Sequence, residues 1–94
     1  MSYLRLVRFT LSEAGRSRAQ SMADDLIPAI KAQAGCMSAA FFSGDGGSSG
    51  LLVLWDSQEH ADAAAAVIRP RLDEHLRGNV SAPPEAGLFP VLAS

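Results

Sequence analysis

Cysteine is nearly absent from this chain. Cys36 stands alone among 94 residues, so no disulfide can close within it. Long apolar runs are missing too: none approaches the roughly 20 residues that cross a bilayer. Arg5 and Arg8 interrupt the first greasy stretch, which therefore does not read as a signal peptide. Neither sign of charge dominates. Eight basic residues face ten acidic ones, a formal net charge of -2, and the basic residues are scattered. Nucleic acid demands a concentrated basic face, so it is excluded as a partner. Glu59, His60, Asp62, Asp73, Glu74 and His75 contain no two-histidine helical spacing, and no metal is expected. The glycine-rich stretch Gly44–Gly50 has no lysine and precedes a strand, so it does not cradle phosphate. No Ser-His-Asp or Cys-His arrangement follows from spacing. These absences leave a cytoplasmic protein without membrane, nucleic acid, metal or cofactor.

What is present is apolar sheet. Hydrophobic residues make up 48% of the chain and charged residues 19%, the balance of a globular domain. At 94 residues it is read as one domain spanning 1-94. Tyr3–Leu11, Ala39–Phe42 and Leu51–Trp55 are rich in apolar residues but alternate poorly. A half-buried strand alternates, because one face meets water. These strands call for cover on both faces. The chain has residues for about two helices, which cover one. A second copy of the chain is the simplest cover for the other, and a short chain gains from such burial.

The order of elements follows from local signals. Tyr3 to Leu11 forms the first strand, with Tyr3, Arg5, Val7, Phe9 and Leu11 on one face. Ser12 and Glu13 start a helix that runs to about Ala34. Its apolar stripe is Ala19, Met22, Ala23, Leu26 and Ile30, and Pro28 is expected to kink or split it. Gly35 stops it. Cys36 to Ser43 and Leu51 to Asp56 form a hairpin across the glycine-rich turn. Ser57 caps a second helix with Ala61, Ala64, Ala65, Ile68, Leu72 and Leu76 on one stripe. Pro70 interrupts it and Gly78-Asn79 end it. Leu88 to Leu92 is a short last strand, placed at an edge by Pro90. The result is βαββαβ, a ferredoxin-like α+β fold with an antiparallel sheet.

Three segments carry a family resemblance: Phe9-Thr10-Leu11 leading to Gly15-Arg16, Ala32-Gln33-Ala34-Gly35-Cys36, and Trp55-Asp56-Ser57-Gln58-Glu59-His60-Ala61. With the βαββαβ order, they make the chain resemble the antibiotic biosynthesis monooxygenase-like (ABM) domains, which are dimeric α+β barrels, from about Tyr3 to Leu92. The resemblance implies a homodimer and a pocket between each subunit's sheet and helices. It implies a small aromatic or apolar ligand, with a cofactor-independent monooxygenase acting on an aromatic polyketide- or quinol-like substrate as the leading activity. A non-catalytic ligand-binding or stress-related dimer and a haem-degrading monooxygenase are the alternatives. The strand-end Trp of the polyketide oxygenases matches Trp55. Their helix Tyr falls on Ala61, their strand Asn on Leu51, and their late helix Arg near His75 to Arg77. The helix Trp of the haem-degrading members falls on Ala64, their axial His falls near His75 or Glu74, and their first-strand Asn has no counterpart.

Four residues stand as site candidates. His75, at the border of the second stripe, is the candidate general base, against a partly buried, hydrogen-bonded structural role. Trp55 stacks on an aromatic substrate or closes the end of the core. Arg5 and Arg8 lie on opposite faces of the first strand, and Arg8 is carried as the substrate contact, against a structural ion pair for either. Tyr3, the only tyrosine, donates to a substrate oxygen or sits at the edge of the core. His60 is read as solvated and Cys36 as a small buried hydrophobe.

Overall fold

A computed structural model describes residues Met1–Ser94. Strand β1 (Tyr3–Thr10) is followed by a single-turn helix α1 (Glu13–Arg16) and by α2 (Ala19–Lys31). The hairpin of β2 (Cys36–Ser43) and β3 (Ser48–Trp55) comes next, then α3 (Gln58–Leu76) and β4 (Glu85–Pro90). The four strands form one antiparallel sheet in the order β2-β3-β1-β4. This is the expected ferredoxin-like α+β arrangement. Pro90 is the last residue of an edge strand, where its missing N–H costs no ladder bond.

Several boundaries differ from the sequence reading. The first helix does break, but at Ser17-Arg18 rather than at Pro28. Ser12 spends its side chain on capping α1 through Gly15 N–H, and Gly15 is packed too closely against Asn79 to admit a side chain. Pro28 and Pro70 lie on exposed positions inside continuous helices. The third strand starts earlier, because Ser48 and Ser49 pair with Thr10 and Phe9. The last strand is Glu85–Pro90, not Leu88–Leu92, pairing with β1 through Glu85 opposite Arg8 and Phe89 opposite Leu4. Gly35, at φ 84°, makes the turn from α2 to β2 beneath Asp56 and His60, with no room for a Cβ.

All the long helices lie on one face of the sheet. Phe9, Leu51, Val53 and Trp55 point into a core shared with Met22, Leu26 and Ile30 of α2 and with Ile68, Leu72 and Leu76 of α3. The other face carries no cover. There Leu52 is 39% exposed, Phe42 42% and Phe89 50%. Strand register puts Leu4, Leu6 and Leu54 beside them. The Phe42 ring lies over Gly50 and the Phe89 ring over Gly87, so each aromatic covers backbone that a side chain would otherwise cover. Cys36 is only half-buried, packs against the core, and points its thiol toward Ser38 O at 3.7 Å. Burial pushes that thiol's pKa up, the opposite of what a nucleophile needs. No helix is long and apolar enough to cross a membrane.

Candidate functional site

The two main helices meet the sheet differently. α2 presents Met22, Leu26 and Ile30, each 1% exposed or less, and fills the space above the sheet. α3 presents Ala61, Ala64 and Ala65 over β1 and β3. A methyl group reaches a short distance, so small side chains here leave a gap that Leu or Phe would fill. The gap is an apolar pocket of about 80 Å³ that opens to solvent. Eleven of its fifteen lining residues are hydrophobic. Leu51, Val53 and Trp55 of β3 form its floor, Ile68 and Leu72 of α3 its roof, and Pro84 and Ala86 flank it.

Few polar groups line this chamber. Arg5 comes from the inner face of β1 and Arg69 and Asp73 from α3. The Trp55 side chain is 3% exposed, and its indole Nε1–H is buried with no acceptor in the chain. An unmade buried hydrogen bond costs about 1–3 kcal/mol. Arg5 has one ion-pair contact, 3.4 Å to Asp62 on α3. Arg69 has no carboxylate within 4.0 Å.

The four sequence candidates do not converge. Trp55 lines the pocket. Tyr3 pairs with Trp55 in register and shares its face, but lies beyond the pocket at the end of the sheet. Arg8 is not on the pocket lining: it is exposed, pairs with Gly50, and shares the uncovered face with Glu85. Arg5 takes the inner position instead. The neighbours of β1 hint at this, since Arg8 and Thr10 fall on the face opposite Val7 and Phe9.

His75 lies on the flank of α3 that faces α2, outside the apolar pocket. Its Nε2 is 2.7 Å from Asp25 Oδ2, and Arg71 Nε donates to the same carboxylate at 2.9 Å. Asp25 is held well below the usual carboxylate range, first by the hydrogen bond from Arg71 and then by that from His75, and Arg71 is raised in return. The cluster is a clamp between α2 and α3. His75 is therefore not placed to take a proton from a molecule in the pocket, and its partly buried, hydrogen-bonded role is the one observed. His60 is half-exposed and pairs with Asp56 at 2.6 Å rather than standing free in solvent, and that bond lowers the Asp56 pKa. Asp73 is the only carboxylate on the pocket lining, and sequence reasoning considered it only as a metal ligand.

The fold has many solved counterparts. Rv0793 from Mycobacterium tuberculosis superposes with a TM-score of 0.85 at 19% identity, covering 100% of this chain and 98% of that one. SnoaB, a cofactor-independent oxygenase from Streptomyces nogalater, gives 0.80 at 18% identity, covering 99% and 95%. A structure described as an antibiotic biosynthesis monooxygenase gives 0.80 at 11% identity, covering 99% and 100%. The fold is that of an ABM-like domain. No protein-family model matches the sequence, and neither does any curated protein. At these identities the likeness speaks for the ABM-like architecture alone. The pocket does not suit haem as the haem-degrading members would hold it, because no imidazole lines it.

Proposed function

We propose that this chain is a cofactor-independent monooxygenase acting on an aromatic polyketide- or quinol-like substrate in the pocket beneath α3. One observation carries the reading. The chamber is apolar, yet its sheet wall includes two residues that carry hydrogen-bond donors, Arg5 and Trp55, and the Trp55 indole N–H is buried without a partner in the chain. Loss of a proton from an anthrone CH2 or a phenol gives a delocalised oxyanion. Donors in a low-dielectric site favour that anion over its neutral parent. The proton passes to Asp73 or to water at the open mouth. The anion gives one electron to dioxygen, and the radical and superoxide join to form a carbon–oxygen bond. Water then leaves the peroxide, so that CH2 and O2 become C=O and H2O. The protein supplies orientation, electrostatics and a dry chamber. The oxygenase activity described for SnoaB on the same fold supports this reading.

The test is dioxygen uptake with an anthrone and a hydroquinone, in chelator and above the uncatalysed background. Arg5→Met should lower the rate by about 10²–10³-fold, the scale of one lost oxyanion donor. Uptake by the parent protein that matches background across a broad aromatic panel would refute the oxygenase reading. It would leave the second reading, a non-catalytic ligand-binding barrel, which the absence of an imidazole or thiol from the pocket lining favours.

We also propose that a second copy covers the open sheet face. Phe42, Leu52 and Phe89 form an apolar surface that all the helices leave to solvent. Light scattering at micromolar concentration should give twice 9.9 kDa. A monomer at that concentration would rule out the barrel.

A further inference from the structure

We infer that the pocket's ligand is an aromatic acid: a ring system carrying an ionised carboxylate that Arg5 and Arg69 bind from opposite walls of the pocket. This rests on the pocket being the small-molecule site, and it adds which substituent the molecule must carry.

Arg5 and Arg69 belong to different elements, the sheet and α3, and line the same chamber. Among the lining residues only Asp73 opposes them, so the lining carries one net positive charge in a chain of net charge -2. Neither guanidinium is well paired. The Arg5 side chain is 23% exposed, and its single 3.4 Å contact goes to an Asp62 side chain that is 60% exposed and free to turn away. Arg69 has no carboxylate partner, and Asp73, one turn further along α3, lies beyond 4.0 Å. Arg71, on the other flank of the same helix, is by contrast held on two nitrogens by Asp25. Two cations facing one apolar chamber repel each other. A carboxylate between them relieves that repulsion, and guanidinium matches its geometry through paired N–H donors. The rings then lie against Leu51, Val53, Trp55, Ala64 and Ile68. A neutral amide of the same shape fills the apolar part and leaves the cations as they were.

The probes are 1-naphthoate and 1-naphthamide, titrated calorimetrically into the full-length chain at low salt. Naphthoate should bind at least about tenfold more tightly, as expected for charge-assisted hydrogen bonds. Its advantage should shrink as salt is raised. Arg69→Ala and Arg5→Met should each weaken naphthoate by about tenfold and leave naphthamide unchanged. Arg77→Ala removes the same charge beyond the end of α3 and should change neither. Equal affinity for the two probes would overturn the inference, and so would an Arg69→Ala variant that weakened both alike. Binding of neither at millimolar concentration would overturn it together with the pocket reading. A naphthoate preference without any oxygen uptake would sink the oxygenase reading and leave this one standing.

Discussion

The two helices that cover the sheet do opposite work with the same geometry. α2 fills its share of the interface with Met22, Leu26 and Ile30, and of these only Ile30 borders the chamber. α3 is longer, yet it presents Ala61, Ala64 and Ala65 and leaves a chamber. Side-chain volume alone separates a structural helix from a roof. α3 compensates for its thinner packing with polar ties at its edges: Arg5 to Asp62 near its start, and Arg71 and His75 to Asp25 near its end. Such exposed pairs add little each, so the roof should be the more easily loosened half of the layer.

The largest effect should come from shortening α2. Leu26 is fully buried, and Leu26→Ala should cost about 2–5 kcal/mol of stability in a urea titration, as a deleted core leucine does. Adding volume under α3 should do the reverse of that experiment. Ala64→Leu should cost at most about 1–3 kcal/mol, because a chamber already exists to receive the side chain. It should nevertheless abolish ligand binding in calorimetry. Retained binding in Ala64→Leu would mean that the chamber is not the site and that the contrast between the helices is one of packing alone.

The edge ties sharpen the comparison at acid pH. The Asp25 pKa is lowered in the folded chain, so its contribution to stability is present above the unfolded carboxylate value of about 3.9 and is lost as pH falls below it. Asp56 adds to the loss in the same direction. A melting temperature followed from about pH 6 down to about pH 2 should fall, and Asp25→Asn should start lower and fall less steeply. Parallel curves for the two proteins would show that the clamp contributes nothing. The smallest effect is expected from His75→Ala. It should cut one bond to Asp25 and leave oxygen uptake within about twofold of the parent, whereas a positioned base contributes about 10²–10⁴-fold. A loss on that scale would return His75 to the reaction.

Much of the fold was legible because its signals are local. Ser57 caps α3 through His60 N–H, Gly35 turns at positive φ, and Pro90 sits on an edge strand. The apolar character of both sheet faces was also readable, and one of them is indeed left uncovered. The site was legible only in part, because periodicity gives an angle around a helix and not the neighbour at that angle. At roughly 100° per residue, Arg71 and His75 fall on one flank of the Ile68–Leu72 stripe and Arg69 and Asp73 on the other. Both flanks border the apolar face. Which one meets α2 and which one meets the pocket depends on where α2 packs, a long-range fact. The same limit applied to β1: odd spacing put Arg5 and Arg8 on opposite faces, but only the helices' choice of face sent Arg5 inward. The break at Ser17-Arg18 was hidden because the close approach of Asn79 to Gly15 joins segments more than 60 residues apart.

Trp55 allows the most direct test, because it is the only tryptophan and so gives one indole N–H resonance in a proton–nitrogen correlation spectrum. That N–H has no acceptor in the free chain. Titration with 1-naphthoate should move this resonance progressively and saturably, with the midpoint at the calorimetric affinity, and the shift should vanish in Ala64→Leu. An indole resonance that stays in place while naphthoate binds would show that the ligand lodges elsewhere, and that the chamber beneath α3 is not the functional site.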